Sequence, residues 1–275
     1  MAFSLTERAR SAIWPHLAKS WQTANQVKAG KVSLAMPESL APLIRSMTAH
    51  EVIDEVGPFD ADYYATPMSL MGAMGIEYKD VSGKPYISAE PIKLPPRGKI
   101  KVGLSWSKGR INVDRATHLD VFHAHSMTLD TVCPMLAIPG TAWYSLQVGE
   151  GEEIARAGLH GFIADLTVGI RDWMDTARCV AAMDVVVTAC TGTAHLAGAM
   201  GKPTLILTPT PRCWRWLGRG TTTAWYDSVT LATQKTPGDW SGPIREAKKW
   251  LNTHLAKAGG AASSSTGMST IAKAS

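Results

Sequence analysis

Residues 185–208, VVVTACTGTAHLAGAMGKPTLILT, decide the fold. A β-branched run, VVVTA, is followed by a polar turn, a segment of small residues that ends at Gly201, and a second apolar run, PTLILT. β-branched residues favour strands, and a glycine commonly closes a helix. The stretch therefore predicts a strand, a helix and a second strand, which is the repeating unit of a parallel sheet.

The same alternation continues on both sides of this stretch. The predicted strands are IKVGLSWS, AWYSLQ and GFIAD, and the predicted helices are EGEEIARAG, MDTARCVAAMD with Asp175 or Thr176 as its cap, and residues 241–258. Strands that alternate with helices across short loops form a doubly wound α/β sheet. Residues 98–258 are therefore predicted to form a Rossmann-like domain with Thr191 at the carboxyl end of a parallel strand.

The first 97 residues carry weaker strand signals. They predict a helix over 5–29 that Pro15 splits, and two short strands, KVSLAM and EVIDEVG, separated by a helix in PESLAPLIRSM. A proline-, glycine- and lysine-rich stretch at 88–101 is typical of a connection between domains and places a domain boundary at about residue 97. We expect residues 1–97 to form a smaller α/β domain, and residues 259–275 to be a disordered tail of low complexity.

Composition and charge narrow the function classes. The chain has 275 residues and a net charge of +5, but its charges form no runs, which favours an anionic ligand over nucleic acid or a membrane surface. Four scattered cysteines predict reduced thiols and a cytoplasmic protein. No export signal or membrane span is visible. His123 and His125 lack a third ligand nearby, so no metal is predicted.

Polar side chains gather at the carboxyl ends of three predicted strands, where ligands bind in parallel sheets. These residues are Ser105, Lys108, Arg115, Gln147, Thr191, Gly192, Thr193 and His195. A helix start at Gly192 offers N–H groups and a dipole that favours an anion, and a basic loop facing it suits a diphosphate. Each residue also has a purely structural interpretation. The threonines are then caps, His195 a core histidine, and the two basic residues solvated charges.

Three segments carry a resemblance to a known family. VVVTACTGTAHLAGAMGKPTLIL, RCWRWLGRGTTTAWYDSVTL and PGDWSGPI resemble the C-terminal half of the family-9-type glycosyltransferases. These include heptosyltransferases and the glycosyltransferase-like domains often fused to tetratricopeptide repeats. The resemblance covers roughly residues 30–255. It implies a GT-B fold of two Rossmann-like domains, with a nucleotide-sugar donor on the C-terminal one and neither a cofactor nor an essential metal.

The same resemblance implies roles for these strand-end residues. Thr191, Gly192 and His195 would hold the donor diphosphate and sugar, Lys108 or Arg115 would neutralise phosphate charge, and Gln147 would lie near the nucleoside. Cys190 departs from the pattern, because the family usually has aspartate there. No catalytic base can be assigned, since Asp60 and Asp62 are typical turn residues.

A further departure concerns the N-terminal domain, which is predicted to be truncated because the family's first strand and glycine–aspartate loop are missing. Two hypotheses follow. The chain is a metal-independent glycosyltransferase that moves a sugar from a nucleotide sugar to an unknown acceptor. Alternatively, it is a degenerate GT-B-like protein without turnover, serving as a binding or structural component of a larger assembly. Protein partners or a second copy would then cover the domain edge and order the tail.

Overall fold

The structure is a computed structural model. It describes residues 2–3, 32–53, 65, 69, 72–98, 100–107, 126–213, 215–216 and 220–265. The helix predicted over 5–29 lies outside these residues.

A small sheet is formed by the first three strands, β1 (Ala2–Phe3), β2 (Ser33–Ala35) and β3 (Glu51–Ile53), which pair in parallel in that order. Helix α1 (Ala41–Arg45) connects β2 to β3. β2 and β3 fall within the two strands that the sequence predicts. The sequence predicts only these two strands in the first 97 residues, and β1, which pairs with β2, is a third. The truncation of this domain stays a prediction.

Six parallel strands form the larger sheet. They are β4 (Ile100–Ser105), β5 (Thr141–Ser145), β6 (Ile163–Asp165), β7 (Val185–Ala189), β8 (Thr204–Thr208) and β9 (Val229–Thr233). Their order is β6-β5-β4-β7-β8-β9. The order reverses between β4 and β7, as in doubly wound folds that bind ligands at this switch point. The prediction of a Rossmann-like parallel sheet is confirmed.

Five helices accompany the larger sheet in the described part of the chain. They are α2 (Leu129–Leu136), α3 (Gly151–Arg156), α4 (Trp173–Ala181), α5 (Gly192–Ala199) and α6 (Ser241–Ser265). Neither α2 nor β9 was predicted. The N-cap of α4 is Asp172, whose Oδ1 accepts from the N–H of Asp175 at 2.9 Å, so the predicted cap is corrected.

Helix α6 runs past its predicted end at residue 258 and continues to Ser265, into the segment where composition predicted disorder. Extending a nucleated helix adds one hydrogen bond for each residue fixed, which is less costly than starting a new one.

Alternate residues of the central strands face opposite layers, as the period of a strand requires. On one face, Val187 and Leu207 pack with residues of α2 and α6 such as Leu251. On the other face, Val186 packs with α4, α5 and the small sheet. The backbone N–H of Trp173 donates to the carbonyl of Ser39 at 2.9 Å, which ties α4 to the segment before α1. The two sheets therefore share one core layer.

Residues 81–97, called the linker below, contain neither helix nor strand. The N–H groups of Tyr86 and Ile87 both donate to the carbonyl of Ala199, at 2.9 and 3.1 Å, and that of Ile92 donates to the carbonyl of Arg178 at 3.3 Å. The linker therefore lies against the α4–α5 layer. The domain boundary at residue 97 stays a prediction.

Candidate functional site

The switch point between β4 and β7 brings three strand ends together. Ser105 ends β4, Gln147 follows β5, and Thr191 follows β7. β4 pairs with both neighbours, Leu104 lying opposite Ser145 and Ser105 opposite Thr188. These three predicted site residues therefore lie at one edge of the sheet, called the rim below. Whether they bind a donor stays a prediction.

Gln147 joins two loops of the rim. Its Oε1 accepts from the hydroxyl of Ser105 at 2.9 Å and from the backbone N–H of Ser107 at 3.0 Å. The backbone N–H of Gln147 donates to the Ser145 hydroxyl at 3.2 Å. The side chain is buried, so this amide holds the end of β4 in place beside β5. The structure thus gives Gln147 a fixed position, with its carbonyl oxygen already in use.

The start of α5 lacks a side-chain cap. Thr191 is the N-cap residue, but its hydroxyl lies 3.2 Å from that of Thr188 and accepts nothing from the helix. Among the described residues, no acceptor bonds the N–H of Gly192 or Thr193. Gly192 and Thr193 are buried, and buried helix donors normally have partners. The interpretation of Thr191 as a side-chain cap is therefore wrong, and the first turn of α5 has N–H donors for which the described residues provide no acceptor.

His195 does not lie on the rim. It is 1% exposed, its ring stacks on Trp216 with centroids 4.5 Å apart, and its Nδ1 is 3.3 Å from the Tyr226 hydroxyl. The stacked indole of Trp216 and the hydroxyl of Tyr226 therefore hold the imidazole in the core. These contacts fit the interpretation of His195 as a core histidine, and a role of its imidazole in donor binding stays a prediction.

Cys190 belongs to the same buried group. It is 4% exposed, and its Sγ accepts from the indole N–H of Trp216 at 2.9 Å. We call Cys190, His195, Trp216 and Tyr226 the aromatic cluster. The sequence missed Trp216 and Tyr226 as partners of His195, although both lie in the segment RCWRWLGRGTTTAWYDSVTL. The sequence feature that could have indicated their burial is the number of aromatic residues between β8 and β9, which is high for a surface loop.

The remaining predicted residues cannot be placed. Lys108 and Arg115 lie outside the described residues, as do Asp60, Asp62, His123 and His125. Within the described ranges, no three His, Cys, Asp or Glu side chains form a group that could hold a metal ion. No helix in the same ranges has the length and apolarity needed to cross a membrane.

The fold of the described residues matches the GT-B fold of the heptosyltransferases. Within it, the structure of E. coli ADP-heptose lps heptosyltransferase II is similar at a TM-score of 0.56 and 10% identity, covering 93% of this chain and 98% of that one. The structure of E. coli heptosyltransferase WaaC with ADP-2-deoxy-2-fluoro heptose has a TM-score of 0.48 and 13% identity. That alignment covers 92% of this chain and 98% of the WaaC chain. That score is too low to add to the assignment.

Sequence comparison reaches less of the chain. Protein FlbA of Caulobacter vibrioides is 31% identical over 153 residues, which are 51% of this chain and 23% of FlbA. The match therefore spans less than a quarter of that relative. No protein-family model matches the chain.

Proposed function

We propose that this chain is a glycosyltransferase that moves a sugar from a nucleotide-sugar donor to an acceptor. One observation carries the proposal. The buried N–H groups of Gly192 and Thr193 have no acceptor among the described residues, and they lie at the switch point of a doubly wound sheet. A helix start of this kind binds phosphate through its N–H groups and its dipole. The heptosyltransferase-like fold supports the same assignment.

The reaction would be displacement at the anomeric carbon of the donor sugar. The bond from that carbon to the diphosphate oxygen breaks, the acceptor hydroxyl oxygen bonds to the carbon and releases its proton to solvent, and the diphosphate leaves with the electron pair. N–H donors aimed at the leaving group stabilise the charge that develops there. In this scheme α5 receives the diphosphate, and Gln147 fixes the loop that begins at Ser107.

Lys108 and Arg115 would complete the diphosphate site. Both follow Ser107, which Gln147 holds, in the sequence, and their charges suit the anion that α5 would bind. Replacing either by alanine should weaken nucleotide binding by about 1.5–3 kcal/mol, the usual worth of a hydrogen bond to a charged group. Solvent screening would reduce the effect.

The experiment is a calorimetric titration with ADP, UDP, GDP and CMP. ADP comes first, because the solved neighbour is an ADP-heptose enzyme. We expect one nucleotide to bind, and release of that nucleotide from the matching nucleotide sugar to follow once an acceptor is supplied. If none of the four binds, the donor site is elsewhere or absent, and the proposal fails.

A second candidate rests on Cys190. At this position the resembling family has a carboxylate, whereas here a thiol accepts from Trp216 in the core. The chain would then be a GT-B-like component of a larger cytoplasmic assembly, binding a nucleotide sugar or a protein partner without turnover. Tight nucleotide binding with no transfer to any acceptor would favour this candidate over the enzyme.

A further inference from the structure

Helix α5 links the rim to the linker. Its first turn lies at the rim, and the carbonyl of Ala199 at its last turn accepts from the linker N–H groups of Tyr86 and Ile87. Gly201, at φ 68°, leaves the space in which Pro85 packs, because a Cβ there would collide with the proline ring. At 1.5 Å per residue, the helix spans about 12 Å between these two ends.

Tyr226 holds the middle of the same helix. Its ring lies over Gly198 so closely that a Cβ on the glycine would be 2.5 Å from Cγ of the tyrosine. Its hydroxyl meets Nδ1 of His195, which stacks in turn on Trp216. One aromatic side chain therefore contacts α5 both by packing and by a hydrogen bond.

Tyr226 also faces the linker. Burial raises the pKa of both the Tyr86 and the Tyr226 hydroxyl, and each hydroxyl influences the ionisation of the other. Both are therefore neutral near neutral pH. The Tyr86 hydroxyl is buried, and in the described part of the chain it forms no hydrogen bond of ordinary geometry. The N–H of Asp227, the residue after Tyr226, donates to the linker carbonyl of Gly83 at 2.9 Å, and this bond gives a second route from the linker to α5.

We propose that Tyr226 is a positioning residue for the donor site. By fixing α5 between the linker and β7, it sets the direction of the N–H groups of Gly192 and Thr193. The inference rests on the proposed function, because it concerns the site that α5 would offer to a diphosphate. A shift of the linker would then be transmitted along the helix to the rim.

The test compares Tyr226→Phe with the matched control Tyr144→Phe. Tyr144 is a buried tyrosine of β5 whose hydroxyl has no partner among the described residues, so its removal breaks no hydrogen bond. We measure calorimetric affinity for ADP, UDP, GDP and CMP, and amide hydrogen exchange across the whole chain. Tyr226→Phe should weaken binding about fivefold, the equivalent of one hydrogen bond, and speed exchange selectively in the first turn of α5. Tyr144→Phe should change neither.

Two results would overturn the inference. The first is unchanged exchange at the start of α5 in Tyr226→Phe. The second is a uniform rise across the core, since that reports lost stability without positioning. If the unmodified chain binds none of the nucleotides, the proposed function fails while the exchange comparison still decides whether Tyr226 orders the first turn.

Discussion

The rim and the aromatic cluster behind it both include residues of one short stretch, 190–195, yet they differ in how their polar groups are satisfied. At the rim, the N–H groups of Gly192 and Thr193 meet no acceptor in the described structure. In the cluster, Cys190 and His195 both have partners. Neighbouring polar residues in a strand-to-helix turn therefore do not form one site. The backbone N–H groups of Gly192 and Thr193 lie at the rim, and the side chains of Cys190 and His195 on either side of them pack in the core.

The largest expected effect falls on the cluster. Trp216 is fully buried against His195 and donates to Cys190. Replacing it by alanine should lower the free energy of unfolding by about 3–5 kcal/mol, measured by chemical denaturation, because a cavity remains. Trp250→Ala, on the partly exposed face of α6, is the control and should cost less. An equal loss of unfolding free energy in the two variants would mean that the aromatic cluster contributes no more to packing than the partly exposed face of α6.

Cys190→Asp should show that this position belongs to the core. A buried carboxyl there has its pKa raised above the unfolded value, so the variant loses stability as pH rises between about 4 and 6. A shift of two units corresponds to about 2.7 kcal/mol above that range. Denaturation of this variant and the parent at pH 4 and pH 8 measures the difference. Equal stability loss at both pH values would place the carboxyl in solvent, on the rim side.

Gln147→Ala tests the side-chain part of the rim. It leaves the Ser105 hydroxyl and the Ser107 N–H without their acceptor, at a cost of about 1–2 kcal/mol in stability. Nucleotide affinity should also fall, because the loop leading to Lys108 is released. Denaturation and calorimetry on one preparation measure both. A stability loss with unchanged affinity would remove this loop from the donor site.

Thr191→Val should have the smallest effect. It removes the hydroxyl pairing with Thr188, worth about 1 kcal/mol, and keeps every backbone N–H of α5. Nucleotide affinity in a calorimetric titration should therefore match that of the parent. A large loss of affinity would show that the Thr191 hydroxyl, and not the backbone, contacts the ligand.

Much of the larger sheet is predictable from local pattern. VVVTA and PTLILT are β-branched or apolar runs with turn residues beside them, and they became β7 and β8 almost without change. Helix α2 was missed because Pro134 interrupts its pattern, although Thr128 caps it. In β9, VTLAT, apolar and polar residues alternate only weakly, and the segment forms a strand because it pairs with β8.

The candidate site was only half predictable. That strand ends meet at one rim follows from parallel topology, so Ser105, Gln147 and Thr191 could be grouped from the sequence. The direction of His195 could not, because it depends on Trp216 and Tyr226, which arrive from a distant part of the chain. Tertiary contacts of this kind leave no local signal.

The most direct test of the central claim is a calorimetric titration of ADP, UDP, GDP and CMP into the parent chain, Gly192→Val and Gly161→Val. Gly161 is the control, because a side chain there would enter open space. We predict that one nucleotide binds the parent and Gly161→Val equally, and that Gly192→Val does not bind it, because the branched side chain fills the space a phosphate needs beside the N–H groups of α5. Thermal denaturation of each variant shows whether the fold is retained. Unchanged binding by a folded Gly192→Val would contradict the account and place the ligand elsewhere.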